Sequence, residues 1–552
     1  MTDTPLMTMA DIVRARAHDD APALKADGRT WTYREWVQCC ADRAALWDAM
    51  RDPARPPHIG VLLDNVAEFT MWLGAAALTG ATVVGINPTR RGEQLAHDVR
   101  HTECQLLVTE SSWLDLFDDL DSGVPASHLL DTDHPSYAAA VSRHAGAAVP
   151  TVSVQPSTQF LLLFTSGTSG TPKAVICSQG RLAGVSHAMI GVVTLTAADV
   201  TYISMPLFHS NALFTGWAPS VLAGACVALR RKFSASEFIN DVRRYNATYF
   251  NYVGKPLAYV VATPPRPDDL DNPLVRGFGN EANDADLVAF AERFGCRLID
   301  GYGQSETGAS IVRVPNMPPG SLGMAAPSVV VLDPDTGLEC PRARFDEGGR
   351  LLNAEEAIGE IVNTAQSTFE GYWNNPEAEA ERLRNGAYWT GDLAYRDDAG
   401  FFYFAGRTAD WIRVDGENFA AAPVERVLAR FPGVVLGAVY GVPDPVAGDR
   451  AMAALQLNDG VEFDPAAFAE FLAQQSELGP KWVPTFVRVV AQLPLTQTNK
   501  VLKRELVTQR WDGDDPVWMR AADGSYRRFD DDDRASLIAA FAAHGRQAVI
   551  ER

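Results

Sequence analysis

Between residues 58 and 303 the chain alternates short apolar runs with helical patterns, and few folds accommodate that alternation. HIGVLLDN (58–65), ATVVGINP (81–88), QLLVTE (105–110), ATYFNYV (247–253) and CRLIDGYG (296–303) are each too short for a stable helix and too apolar for a surface loop. Apolar runs of this length read as strands buried on both faces, and helices between them supply the crossovers of βαβ units. One helical run spans Ala285 to Phe294. Another helix begins at Thr32, where Glu35 completes a capping-box pattern ahead of Trp36, Val37 and Cys40. The stretch Met71–Ile86 is the most membrane-like, but it falls short of the ~20 apolar residues needed to span a bilayer. It reads as a buried helix, a turn at Gly80 and a strand.

After Gly303 the texture changes. PSVVVLDP (327–334) and GEIVNTA (359–365) are short and punctuated by Gly and Pro, as in a small barrel or meander reaching about Phe404. GVVLGAVYGVPDP (433–445) and AMAALQLN (451–458), with a helix between Asp464 and Gln475, form a separate α+β unit. The acid run Asp530–Asp533 reads as a solvated start to the helix over 535–543. Acidic residues number 69 against 48 basic ones, a net charge of -21, which argues against nucleic acid as a partner. Seven cysteines without a CxxC spacing indicate neither a disulfide frame nor a zinc site. The N-terminus carries acids and no apolar h-region, so the chain is expected to be cytoplasmic, without a transmembrane segment.

The densest chemical signal follows the apolar run QFLLLF. Thr165, Ser166, Gly167, Thr168, Ser169 and Gly170 offer hydroxyl and backbone N–H donors, and Lys173 adds a positive charge. This is an anion-binding composition suited to a polyphosphate. It is not a Walker A loop, because Pro172 precedes the lysine and no Ser or Thr follows it. Lysine is rare, with only seven in the chain, so each position counts.

Further motifs follow in order: PLFHS (206–210), YGQSE (302–306), YWTGDL (388–393), GRTADWIRVDGEN (406–418) and PLTQTNKVLK (494–503). With the 165–173 loop they resemble the motif set of the adenylate-forming superfamily of acyl-CoA synthetases, peptide-synthetase adenylation domains and luciferases. GENFAAAPVE (416–425) and TNKVLKREL (498–506) look most like bacterial fatty-acyl-CoA ligases and fatty-acid-transport-type very-long-chain ligases. The resemblance implies an α/β protein. A large N-terminal domain (1–405) would hold two β-sheet subdomains and a distorted barrel, a hinge would lie at 406–410, and a small mobile α+β lid would cover 411–552.

The resemblance also implies site roles. Thr165, Lys173 and the loop between them, Gly279, Asn280, Asp300, Gly301, Tyr302, Gly303, Ser305, Asp392 and Arg407 would bind ATP or AMP. Glu306 would be catalytic and the Mg²⁺ ligand, while His209 and Lys500 would serve the reaction itself. Gly416, Glu417 and Asn418 would form the CoA and acyl-transfer loop, and Ala409 or Asp410 the hinge. The residue types suit the chemistry. An ionised Asp392 can accept two ribose hydroxyls, Tyr302 offers adenine a flat face, and Glu306 is a hard oxygen ligand. His209 could equally be a packed core histidine. Ser210, Asn211 and Ala212 suit either an acyl tunnel or tight helix packing.

Two positions depart from the family pattern: Ala409 stands where the hinge usually has Asp or Lys, and Asn499 replaces the Gly before the catalytic Lys. The implied substrates are a small carboxylic acid, ATP and coenzyme A, with a homodimer left open. An acyl-AMP ligase or free-standing adenylation domain loading a carrier protein is the alternative activity, and a non-catalytic nucleotide-binding protein the alternative class.

Overall fold

The computed structural model describes residues 6–165, 173–282, 284–306, 308–346, 351–365, 367–407, 411–414, 417–446, 448–475, 478–479, 481–496 and 500–550. For residues 407, 411, 413, 417, 418 and 420 it describes the backbone alone.

The βαβ reading corresponds to two sheets. In the first, Leu129–Asp131, Leu106–Thr109, His58–Leu62, Thr82–Gly85 and Gln159–Thr165 lie side by side and parallel, and Lys173–Ser178 closes the edge antiparallel to Gln159–Thr165. The second has nine strands. Its parallel centre runs Arg297–Gly303, Arg276–Asn280, Tyr249–Val253, Val200–Ile203, Cys226–Leu229 and Pro22–Ala26. Antiparallel strands flank it, Ser310–Val312 and Met324–Ala325 on one side and Arg29–Thr32 on the other.

The two sheets share one hydrophobic core, which joins Ile59, Val83 and Leu161 of the first to Leu24, Ile203 and Val227 of the second. The helices Tyr33–Met50 and Ala67–Thr79 fill that core. Thr32 and Glu35 form the expected reciprocal cap at the start of the first. The second is buried continuously from Phe69 to Leu78, the signature of a helix apolar on every side. It stops at Gly80, whose φ of 72° lets the chain turn directly into Thr82–Gly85.

The barrel-or-meander segment is a five-stranded antiparallel sheet. Val329–Leu332, Gly359–Asn363 and Ala387–Arg396 pair in that order, with Leu383–Arg384 and Phe402–Arg407 both on Ala387–Arg396. Beyond it, Val434–Pro443, Asp449–Leu457, Phe486–Val490, Val517–Arg520 and Tyr526–Arg528 form another five-stranded sheet. Two hydrophobic clusters drawn wholly from residues 412–541 cover its faces, so the C-terminal part folds around its own core. Asp530 caps the last long helix, Asp531–Ala543, as the acid run suggested. Among the described residues no helix is long and apolar enough to cross a membrane.

Candidate active site

The site gathers at the carboxyl ends of the parallel strands, where open α/β sheets present their loops. Gly279 and Asn280 end Arg276–Asn280, and Asp300, Gly301, Tyr302 and Gly303 end Arg297–Gly303 one strand away. Ser305 and Glu306 follow in the next turn. Thr165 ends Gln159–Thr165 and pairs with Lys173 at the start of the returning strand. Thr165 and Lys173 thus bracket the expected anion loop; Ser166, Gly167, Thr168, Ser169 and Gly170 lie outside the described residues.

Glu306 is buried and accepts from the Tyr372 hydroxyl at 2.9 Å through Oε1. No described donor bonds its Oε2. A single carboxylate with one oxygen uncommitted fits a Mg²⁺ ion that takes most of its remaining ligands from phosphates and water. Among the described residues no cluster of three metal-ligating side chains exists, so an all-protein metal cage is not available. Ser305 Oγ lies 2.7 Å from Ser210 Oγ, which ties the YGQSE turn to the PLFHS segment.

Asp392 is also buried. Its Oδ2 accepts from Tyr302 Oη at 2.7 Å and from Gln304 Nε2 at 2.6 Å. Gln304 in turn accepts from Tyr388 Oη at 3.0 Å. The YGQSE and TGD motifs, far apart in sequence, are one hydrogen-bonded unit. Arg407 stands opposite Asp392 in the antiparallel pair of Ala387–Arg396 and Phe402–Arg407, which brings a third motif to the same place.

Lys173 is buried, with its ammonium 2.9 Å from Glu381 and above the Tyr372 ring at 5.5 Å. That hydrogen bond holds the Glu381 carboxyl below the usual range. The ring under Lys173 is therefore the one whose hydroxyl holds Glu306, so lysine and carboxylate flank a single tyrosine.

His209 Nε2 is buried without a hydrogen-bond partner, and the ring packs on Phe208 with centroids 4.2 Å apart. Burial, and after it the Lys500 ammonium, push its pKa down to about 3. The imidazole is neutral at physiological pH, with a nitrogen turned to the site. The Ser210–Ala212 ambiguity resolves residue by residue. Ala212 is fully buried packing. Asn211 starts a π-helix, Asn211–Trp217, and donates to Tyr252 O at 3.0 Å and Asn280 Oδ1 at 3.1 Å.

Lys500 comes from the C-terminal unit and is tied by its backbone to Thr496. Its backbone N–H donates to Thr496 Oγ1 at 3.0 Å, and Thr496 N–H donates to its carbonyl at 2.7 Å. The side chain reaches Glu281 of the N-terminal body at 2.7 Å. Asn499 lies outside the described residues, as do Ala409, Asp410 and Gly416. Glu417 and Asn418 pair with Val414 and Arg413 across a two-stranded hairpin, but only as backbone.

Of the other residues around the cleft, Lys255 and Arg181 carry no motif signal strong enough to single them out. Glu281 adopts φ 65° and is clamped from behind: a Cβ on Gly254 would lie 1.9 Å from its carbonyl oxygen, so only glycine fits there. Lys255 follows Gly254 and lines the same cleft; burial pushes its pKa down to about 8, opposed by Glu281 and Glu425. Arg181 donates to the carbonyls of Ile176, at 2.6 Å, and Ser305, joining the helix after the anion loop to the YGQSE turn. Asp300 accepts from Tyr252 Oη at 3.2 Å and the Ala282 N–H at 3.3 Å, and burial pushes its pKa up to about 7.

Thr165 and Lys173, the Asp392–Tyr302 pair and Lys500 of the C-terminal unit all line one cleft of about 2640 Å³. Residues 13–373 match the AMP-binding enzyme family, and residues 423–500 match the AMP-binding enzyme C-terminal domain. The chain belongs to this family. A steroid-22-oyl-CoA synthetase of Rhodococcus jostii is 50% identical over 545 residues, 98% of each chain. A medium/long-chain-fatty-acid–CoA ligase of Mycobacterium marinum is 47% identical over 491 residues, covering 88% of this chain and 94% of that one. The fold matches an anthranilate CoA ligase in complex with anthranoyl-AMP at TM-score 0.80 and 21% identity, over 92% and 98% of the two chains. ATP-bound MatB from Rhodopseudomonas palustris matches at TM-score 0.77 and 23% identity, over 91% and 98%.

Proposed function

We infer that this AMP-binding enzyme is an AMP-forming acyl-CoA ligase acting on a fatty or fatty-acid-like acid. In the first half-reaction a carboxylate oxygen attacks the α-phosphorus of ATP. A C–O–P anhydride forms, the α–β P–O bond breaks, and pyrophosphate leaves. In the second, the CoA sulfur attacks the acyl carbon, AMP leaves, and the thiol proton is released. Both reactants of the first step are anions, so the barrier is dominated by charge. The observation that most supports the reading is the Lys500–Glu281 pair, which joins the ammonium of the C-terminal unit to the cleft that His209 also lines.

In this reading Lys173 and the loop before it hold phosphate, Asp392 and Arg407 the ribose, and Gly279, Asn280 and Tyr302 the adenine. Glu306 would hold Mg²⁺, whose charge offsets that of the polyphosphate. Neutral His209 presents a nitrogen to the carboxylate or the incoming thiol. The body would comprise 1–405, the hinge 406–410 and the lid 411–552. Rotation of the lid would withdraw Lys500 and bring in the 416–418 loop for thioester formation. All seven cysteines are free, which suits a reducing, cytoplasmic setting.

A bulky acid is the second reading. The helix Gln179–Val193 turns Gly184, Val185, Ala188 and Val192 to the cleft, and a Cβ placed on Gly184 would meet nothing within 4 Å. That unfilled space suits a ring system as well as a straight chain. The deciding experiment is a panel of straight-chain, aromatic, branched and sterol side-chain acids, read by pyrophosphate release. Each active acid is then offered CoA or a phosphopantetheinylated carrier protein. Thioester on the carrier and none on CoA would replace the ligase reading by the carrier-loading one.

A further inference from the structure

A second concavity, of about 750 Å³, shares no lining residue with the catalytic cleft. Six of its eleven lining residues are basic: Lys25, Arg29, Arg230, Arg231, Lys232 and Arg244. Asp27 is the lone carboxylate among them. In a chain of net charge -21 with seven lysines, such a concentration is not a compositional accident. We propose that this groove is a binding site for a phosphate-bearing anion.

Its position suits a site. The strands Cys226–Leu229 and Pro22–Ala26 are parallel neighbours, and the lining residues 230–232 and 27–30 leave their carboxyl ends. That is the edge of the nine-stranded sheet that also supplies Asn280 and Gly303 to the catalytic cleft.

The cations are preorganised by acids buried beneath them. Arg231 pairs with Glu110 and, at 3.4 Å, with Asp64, and Lys232 reaches Asp64 at 3.4 Å. Arg230 and Arg244 share Asp241, at 3.3 Å and 4.0 Å. The carboxylates are 11%, 4% and 3% exposed for Asp64, Glu110 and Asp241, whereas Arg231, Lys232 and Arg244 expose 44%, 67% and 68%. The acids therefore fix the basic groups from below and leave their outer faces to solvent. Lys25 and Arg29 have no carboxylate within ion-pair distance among the described residues. Lys25 Nζ donates to the Tyr245 carbonyl at 3.0 Å, and the Arg29 guanidinium lies 4.4 Å above the Trp31 ring. Both are held in place with their charge uncompensated. Guanidinium and ammonium groups fixed around a concavity match the several acceptor oxygens of a phosphate better than the two of a carboxylate.

The groove is also wired to the catalytic body. Asp64, the acid beneath Arg231 and Lys232, precedes Asn65, which donates to Met205 O at 2.8 Å and accepts from the Leu207 N–H at 2.9 Å. That segment leads into His209.

A phosphate can come from a soluble ester or from a lipid headgroup, and two arms separate them. In the first, wild type and Lys25→Ala/Arg29→Ala are titrated calorimetrically with inorganic pyrophosphate. In the second, both are floated with phosphatidylcholine vesicles and with vesicles containing phosphatidylglycerol. The expected result is a second pyrophosphate site, or flotation with the anionic vesicles alone, weakened at least tenfold in the double variant and at high salt. Which arm responds names the source. Arg29→Glu/Lys232→Glu serves as a second variant on exposed positions, with circular dichroism and pyrophosphate release as controls on fold and active site. Equal binding by wild type and both variants, or no wild-type binding in either arm, overturns the proposal.

Discussion

Lys173 and Lys500 are two positive charges aimed at one reaction, and they are held in opposite ways. Lys173 is 5% exposed, sits on a strand of the body, and is pinned between Glu381 and the Tyr372 ring. Lys500 is 38% exposed, belongs to the C-terminal unit, and meets the body through an ion pair with Glu281. A pinned charge is present in both half-reactions. A charge on a separate unit can be present in one and absent in the other, which is what a reaction with two chemically different steps requires.

The largest test of that contrast is Lys500→Ala. Adenylation, measured as pyrophosphate release, should fall on the order of 10²–10³-fold, as loss of one preorganised donor does. Thioester formation from synthetic acyl-adenylate and CoA should be unaffected. Equal losses in both halves would erase the distinction from Lys173.

Glu306→Gln keeps the Tyr372 hydrogen bond and removes the charge. Pyrophosphate release should drop by on the order of 10²-fold, with an unchanged melting temperature as the control. If Mg²⁺ dependence is the same in the variant, Glu306 is not the metal ligand.

Lys173→Met should raise the KM for ATP by about tenfold, roughly 1.4 kcal/mol, and leave a partner, Glu381, that is well exposed and costs little to strand. A kcat loss as deep as that of Lys500→Ala would mean the fixed lysine also works in the transition state.

Glu281→Gln sharpens the contrast from the other side. If the pair docks the lysine, adenylation falls by roughly threefold to tenfold, about 0.7–1.4 kcal/mol, the thioester half is spared, and Glu281→Asp restores part of the loss. Faster adenylation would instead show that Glu281 sequesters Lys500.

The smallest effects are in pH dependence. Asp300 has its carboxyl pushed up to about 7, so the folded state holds a proton that the unfolded state releases above an ordinary aspartate's 3.8. Its contribution to stability is complete below about 4 and declines as pH rises through 7. Asp300→Asn should flatten the melting-temperature profile across that window. His209, held near 3, should give the rate profile no limb at 6.5; a limb there that vanishes in a His209→Gln variant would contradict the buried, neutral ring.

The sequence by itself determined the parallel sheets, the capped helix at Thr32, the turn at Gly80 and the separate C-terminal unit. Each is written in local periodicity or in one residue's backbone preference. It also carried the strings that hold Asp392, Glu306 and Lys500, and their resemblance to the adenylate-forming motif set is what singled those residues out. Only the tertiary structure decided which of them meet. Tyr302 and Gln304 share the Asp392 carboxylate although 90 and 88 residues separate them from it. Lys173 lines the cleft already paired with Glu381. Arg181, Tyr372 and the basic groove carry no motif at all. Their significance is relational, a matter of which buried group lies within a few ångströms. Neither a helix period nor a strand alternation encodes the distance between residues brought together by separate sheets.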